Sequence, residues 1–294
     1  MIVLTRASSA SSRFAAAELT TMKQRLENRA REWRVAVDET FETATSLIAY
    51  GRRDEEPVVL KLVKVRGDEW HSGEVLNVFG GRGTVRVHDF APGAVLLERL
   101  LPGHSLVDLS VNDRDDEATA VLAEVIGAMS PDAAMSAFPT VRDWGRGFER
   151  YAASGQHRLP PDIVSQAARM YGRLQDSQIR PRLLHGDLQH SNVLFDEERG
   201  WVAIDPKGVV GELEFEMGAA LRNPIERPDL FAAPAIIERR LSRLAARLGL
   251  DADRALAWAF AQAVLSAIWD LEDGSAGHEP PSLRLAEAIR PMLM

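Results

Sequence analysis

The stretch His185-Gly-Asp187-Leu-Gln-His-Ser-Asn192, followed by Ile204-Asp205, sets two acids and an amide at the ends of apolar runs. A carboxylate backed by apolar residues carries a large desolvation cost, which a divalent metal can offset. Asn192 and Asp205 supply hard oxygen donors of the kind Mg²⁺ takes, with phosphate oxygens and water completing its shell. Asp187 stands apart from that pair, where a carboxylate can accept the proton of an incoming hydroxyl and orient its attack.

The elements around these residues read as follows. Arg182–Phe195 and Trp201–Asp205 are short apolar runs joined by the turn Asp196-Glu-Glu-Arg-Gly200, which predicts a hairpin. Upstream, Leu19, Met22, Leu26, Ala30 and Trp33 recur at helical spacing. Residues 35–50 suggest strands and a turn, and Pro57–Val65 is the best strand of the first third. A helix is expected over 68–80, then strands at 85–90 and 94–101. Pro102-Gly103 breaks that pattern, and helices dominate afterwards, at 114–130, 140–154, 161–178, 212–222, 234–248 and 251–273. The expected organisation is a tail over 1–17, a small strand-rich lobe with a leading helix over 18–100, and a larger, mainly helical lobe over 101–294.

Composition narrows the class. With 35 Lys plus Arg against 43 Asp plus Glu, the net charge of −8 argues against a general nucleic-acid binder and is compatible with a cationic partner. A 46% hydrophobic content excludes wholesale disorder, and the absence of cysteine excludes disulfides and thiolate metal sites. No run of about 18 apolar residues occurs, so no membrane span is expected. Residues 1–17 carry two Arg, many Ser and Ala, and no acid, which faintly resembles a transit peptide; a flexible tail or an overlong start is the preferred reading, and the expected location is the cytoplasm. The oligomeric state is left open.

His-Gly-Asp-x-x-x-x-Asn followed by a hairpin and Ile-Asp resembles the catalytic and metal-binding loops of the protein-kinase-like superfamily, in its aminoglycoside phosphotransferase branch. Ile204-Asp-Pro-Lys-Gly208, Gly211-Glu212 and Leu221-Arg-Asn-Pro224 look most like streptomycin 6-phosphotransferases and hydroxyurea-phosphorylating relatives. The resemblance covers about residues 35–294. It implies an α+β, bilobal kinase-like fold that binds MgATP between its lobes and phosphorylates a small-molecule hydroxyl.

Carried over by residue, the resemblance makes Asp187 the catalytic base and Asn192 and Asp205 the Mg²⁺ ligands. Lys61, in Val-Val-Leu-Lys, would grip the nucleotide phosphates; Lys64, three positions on, faces the other side of the strand. Its ion-pair partner would be Glu74, with Glu69 the competing choice. Leu97-Glu98-Arg-Leu100 would present backbone to the adenine, and Glu216 would brace the catalytic loop. His185 reads as a second brace and His190 as an incidental loop residue. Lys207 either touches phosphate or substrate or pairs with Glu212.

Asp270, Glu272 and Asp273 form an acidic cluster near a helix end: a solvated terminus, or a floor for a cationic acceptor. No Gly-rich loop occurs; Thr40–Ser46 stands in its place, where Thr45 and Ser46 could supply donors. Two rival readings stay open: a metabolic kinase acting on a sugar, amino alcohol or nucleoside, and an inactive kinase-like binding module.

Overall fold

The computed structural model describes residues 21–129, 137–225, 227–274 and 279–293; the tail read over 1–17 lies outside the described residues. The chain separates into two compact units. One takes the chain up to Glu74 and again Arg86–Arg99; the other takes Val75–Val85 and everything from Leu100. Residues 75–85 therefore differ from a single cut near 100, because Val75 and Phe79 are buried in the larger core.

In the first unit, helix α1 (described over 21–32) precedes an antiparallel sheet of β1 (Ala36–Glu42), β2 (Ser46–Arg53), β3 (Glu56–Val63), β4 (Val87–Ala91) and β5 (Ala94–Glu98), in the order β1-β2-β3-β5-β4. The apolar stripe of α1 (Met22, Leu26, Ala30) and the following Trp33 bury against Leu47, Ala49, Val58, Leu60, Leu62, Ala94 and Leu96. Strand alternation then decides where Lys61 goes: with Leu60 and Leu62 committed to the helix side, Lys61 takes the opposite face, where it is 4% exposed. The helix expected over 68–80 begins as a 3-10 turn, Asp68–His71, and continues as α2 (Ser72–Phe79).

The second unit holds β6 (Pro102–Ser105), β7 (Arg182–Leu184), β8 (Val193–Asp196), β9 (Gly200–Ala203) and β10 (Val209–Gly211). β8 and β9 form the expected hairpin, and β7 pairs with β10. Pro102-Gly103, read as a break, opens β6 on β8. Proline is tolerated there because it is the first residue of an edge strand.

The helices are α3 (Val107–Val111), α4 (Asp115–Ala128), α5 (Val141–Ala153), α6 (Pro161–Asp176), α7 (Met217–Leu221), α8 (Pro228–Phe231), α9 (Pro234–Leu248), α10 (Ala252–Glu272) and α11 (Pro281–Ile289). The helix expected over 212–222 divides into a 3-10 turn, Leu213–Glu216, and α7. The sequence reading missed α3, α8 and α11; α3 and α8 are too short to show a periodic stripe. α10 is buried on nearly every side, from Ala255 to Leu271, so it is the axis of this core. No described helix is long and apolar enough to cross a membrane.

Candidate active site

In the first unit the central candidate residue is Lys61, on β3. The 3-10 turn that follows β3 is fixed by two close packings. A Cβ on Gly93 would come within 2.5 Å of the Trp70 ring, and one on Gly73 within 2.6 Å of Phe90. Gly93 N–H also donates to the Trp70 carbonyl at 2.9 Å. The turn thereby presents Glu69, whose Oε2 lies 2.9 Å from Lys61 Nζ. This corrects the expectation of Glu74. Because α2 starts only at Ser72, Glu74 falls in its first turn and its carboxylate meets His71 Nδ1 at 3.1 Å.

The turn between β1 and β2 occupies the place of the missing Gly-rich loop. Thr43 N–H donates to the Ser46 carbonyl and Ser46 N–H to Thr43 Oγ1, each at 2.9 Å. Lys64 Nζ ties the same turn down, donating to the Thr43 carbonyl at 2.6 Å and pairing with Glu42 at 3.2 Å. Thr45 is exposed and its hydroxyl reaches Glu69 Oε2 at 3.4 Å, whereas Ser46 is fully buried and so does not serve as a surface donor. Glu98 ends β5 with its Oε1 accepting the Arg86 N–H at 2.7 Å, and buried Leu100 follows as the chain enters the second unit.

In the second unit, fully buried His185 joins two loops. Its carbonyl accepts the N–H groups of Lys207 and Gly208, both at 3.0 Å. Its Nε2 lies 2.8 Å from the Ile204 carbonyl, and its Nδ1 accepts the Asp187 N–H at 3.3 Å. Burial drives its pKa down to about 4, so the ring is neutral and the contacts assign the proton to Nε2. Glu216 supports the same loop from behind, its Oε1 accepting the Gly186 N–H at 3.1 Å; burial pushes its carboxyl up to about 7. Gly186 has a φ of 80°, and a Cβ there would lie 2.9 Å from Trp144. Gly208, with a φ of 75°, is closed in by Val75 at 2.4 Å in the same sense.

Asp187 is held between two cations. Its Oδ1 lies 3.0 Å from Arg222 Nη2 and its Oδ2 lies 3.6 Å from Lys207 Nζ. Burial opposes ionisation, but Lys207 and Arg222 outweigh it and keep the carboxyl below its ordinary range. A carboxylate so placed stays ionised at neutral pH and can accept a hydrogen bond from a hydroxyl. Asn192 Nδ2 donates to the Asp187 carbonyl at 2.9 Å, which commits its NH₂ end and leaves its oxygen as the donor to a cation. The Ile204 N–H bonds to the Asn192 carbonyl at 2.8 Å, bringing Asp205 into the same neighbourhood. Asp205 itself has a φ of 55°, in the left-handed region, a strained conformation for a side-chain-bearing residue. No cluster of three or more His, Asp or Glu able to hold a metal occurs among the described residues. The Asn192 side-chain oxygen and the Asp205 carboxylate are hard oxygen donors of the kind that fits Mg²⁺, which takes few protein oxygens and fills its shell with phosphate and water.

The pairing of Lys207 with Glu212 does not occur. Buried Glu212 accepts the Ile179 N–H at 2.9 Å and bonds to Arg254 and Trp258, while Lys207 lies over the Trp269 ring at 5.9 Å. The acidic cluster also divides. Glu272 is engaged by Arg150 at 3.1 Å on an exposed surface, and Asp273 caps α10 exposed to solvent. Asp270 is half-buried; its carboxyl is pushed up by burial, against the opposing influence of the Arg222 and Lys207 charges. Residues two apart on a helix point different ways, so a contiguous acidic run need not make one patch.

Arg222 was missed as a site residue, although Leu221-Arg-Asn-Pro224 stood out as a motif. Its signal was a lone arginine directly after a short helix, which gains meaning only once that helix is packed beside the Asp187 loop.

Residues 32–274 match the family described as aminoglycoside/hydroxyurea antibiotic resistance kinase. A streptomycin 3''-kinase of Klebsiella pneumoniae is 32% identical over 262 residues, 86% of this chain and 95% of that protein. A streptomycin 6-kinase of Streptomyces glaucescens is 33% identical, covering 81% and 79%. A hydroxyurea phosphotransferase of Kitasatospora aureofaciens is 31% identical, covering 81% and 69%. Among solved structures, aminoglycoside phosphotransferase APH(4)-Ia superposes with a TM-score of 0.63 at 16% identity over 94% of this chain and 98% of its own. Choline kinase LicA from Streptococcus pneumoniae does so with a TM-score of 0.61 at 14% identity, over 92% and 98%. These two likenesses establish the kinase-like fold.

Proposed function

Because the chain belongs to the aminoglycoside/hydroxyurea antibiotic resistance kinase family, we propose that it moves the γ-phosphoryl group of ATP to a hydroxyl of a small molecule of the streptomycin or hydroxyurea type. The observation that carries this reading is Asp187: a largely buried carboxylate kept ionised by Arg222 and Lys207, beside the oxygen donors Asn192 and Asp205.

In this reading Asp187 accepts a hydrogen bond from the acceptor hydroxyl and aims its oxygen at the γ-phosphorus. The bond from that oxygen to phosphorus forms as the bond to the ADP oxygen breaks, and the hydroxyl proton passes to Asp187. A carboxylate of depressed basicity suits a loose transition state, in which the proton leaves late and orientation matters more than base strength. Lys61, positioned by Glu69, neutralises phosphate charge, and Thr45 contributes a hydroxyl near that pair. Backbone groups of Glu98 and Leu100 read the adenine. Asn192 and Asp205 would hold Mg²⁺, which supplies electrostatic stabilisation of the phosphate oxygens. On the acceptor side stand Trp269, Lys207 and Asp270. Asp270 suits a guanidinium or ammonium group, and the location proposed is the cytoplasm, where MgATP is available.

The relatives are matched at 31–33% identity although their names place the phosphate on different acceptors, so identity alone does not select one. The test is ADP release from MgATP with streptomycin, hydroxyurea, choline and a hexose offered separately. The expected result is acceptor-dependent release with streptomycin or hydroxyurea that Asp187→Ala abolishes while MgATP binding persists. Release only with choline or the hexose would establish a metabolic kinase instead. No release with any acceptor, together with no thermal stabilisation by MgATP, would establish the inactive module.

A further inference from the structure

Resting on that reading, we propose that Arg222 is the positioning residue of the transfer: its guanidinium fixes the Asp187 carboxylate so that the second oxygen faces the attacking hydroxyl. Arg222 Nη2 donates to Asp187 Oδ1 at 3.0 Å, and Arg222 is 8% exposed. Lys207 is a different kind of neighbour, 3.6 Å from Oδ2 with a quarter of its side chain exposed, so it remains available to phosphate or substrate.

What distinguishes Arg222 is that it is itself held from behind. Its Nη1 donates to Gln262 Oε1 at 3.2 Å on the central helix α10, and Gln262 is 1% exposed. Gln262 in turn lies against Gly218 of α7 so closely that a Cβ there would overlap it, at 1.5 Å. The next residue is fixed as well. Asn223 Nδ2 donates to the Ala219 carbonyl at 2.9 Å, and the Asn223 carbonyl accepts from buried Arg240 at 2.6 Å. Arg240 is anchored by Asp115 of α4. A guanidinium is a planar fork, and with one arm bonded to Gln262 the other has little freedom in where it meets Asp187. Orientation of a reacting group within a fraction of an ångström is worth orders of magnitude in rate, and it is expressed in kcat rather than in nucleotide affinity.

A merely stabilising ion pair would behave differently, so the experiment separates kcat from KM. ADP release is followed with streptomycin, or with water as the attacking group where no acceptor is used, for wild type, Arg222→Met, Arg222→Lys and Asp187→Ala. For Arg222→Met the expectation is a kcat about 100-fold below wild type with the KM for MgATP within about twofold. Arg222→Lys should lie between the two. Millimolar guanidinium should restore at least about tenfold to an Arg222→Ala variant and nothing to Asp187→Ala. If Arg222→Met does not fold, Arg222→Lys is read in its place, and a kcat at least about fivefold down at unchanged KM supports the role. Wild-type kcat in the substituted enzyme overturns the proposal. So does a loss matched by a rise in the KM for MgATP, or a loss that guanidinium does not reverse. The reading of the enzyme itself fails on a separate result, namely no ADP release by the wild type or full activity in Asp187→Ala.

Discussion

The ammonium of Lys61 meets Glu69 at 2.9 Å and leaves the helical Glu74 to His71. The carboxylate that Lys61 meets here is therefore carried by the turn that leads into a helix rather than by the helix. A partly buried pair of this kind holds the ammonium in place, whereas a half-exposed carboxylate five residues later contributes little beyond its screened charge.

Glu69→Gln is expected to raise the KM for MgATP about tenfold, with a smaller effect on kcat, because the lysine loses the group that positions it. Glu74→Gln should change either constant less than about twofold. Steady-state kinetics on the two variants checks this; equal effects would return Glu74 to the site.

Asp270 and Glu272 are separated by their surroundings, and their substitution should separate too. Asp270→Asn is expected to raise the KM for streptomycin about tenfold while leaving that for MgATP unchanged. Glu272→Gln should have no such effect, since its carboxylate is taken up by Arg150 on an exposed face. A larger acceptor effect from Glu272 would contradict the role proposed for Asp270.

Glu216 predicts a pH dependence of stability. Its ordinary carboxyl value of 4.5 rises to about 7 in the fold. Between those values the native state binds more protons than the unfolded chain, so stability falls as pH rises from 4.5 through about 7 and is level above. Urea unfolding at about pH 5 and about pH 8 should show wild type losing on the order of 3 kcal/mol at most relative to Glu216→Gln across that window. Parallel profiles of the two proteins would sink the assignment.

Two glycines with similar backbone angles should respond unequally to alanine. Gly186 (φ 80°) faces Trp144 at 2.9 Å, while Gly200 (φ 72°), the first residue of β9, has open space around its missing Cβ. Gly200→Ala should cost about 1 kcal/mol from backbone conformation alone. Gly186→Ala adds a steric clash and should cost about 3 kcal/mol, with a further loss of kcat because the altered backbone adjoins Asp187. Urea denaturation of both variants measures the difference.

Much of the geometry of the second unit's candidate site was legible in the amino-acid sequence. Asp187, Asn192 and Asp205 lie on one short loop and its hairpin, so their proximity is a consequence of local spacing and turn chemistry. Lys61 was legible for a related reason: alternation along a strand with a buried helix face puts every second residue on the other side. The roles of those residues remain for the experiments above. Glu69 was not separable from Glu74, because the two differ only in where a helix starts. That start is set by contacts of Trp70 and Gly73 with β4 and β5, about 20 residues downstream. Ser46, equally polar in sequence to Thr45, turned out to be buried because the sheet register directs it inward.

The amino-acid sequence alone determined the catalytic-type loop, the strand lysine and the α+β division, since each depends on residues close together and on periodicities of the backbone. Only the tertiary structure decided which charges meet. Arg222 reaches Asp187 across 35 positions, and Gln262 holds Arg222 across 40 more. Electrostatic partnership falls off over a few ångströms, while separation along the chain says nothing about distance once helices pack, so the identity of a charge's neighbour is a property of packing.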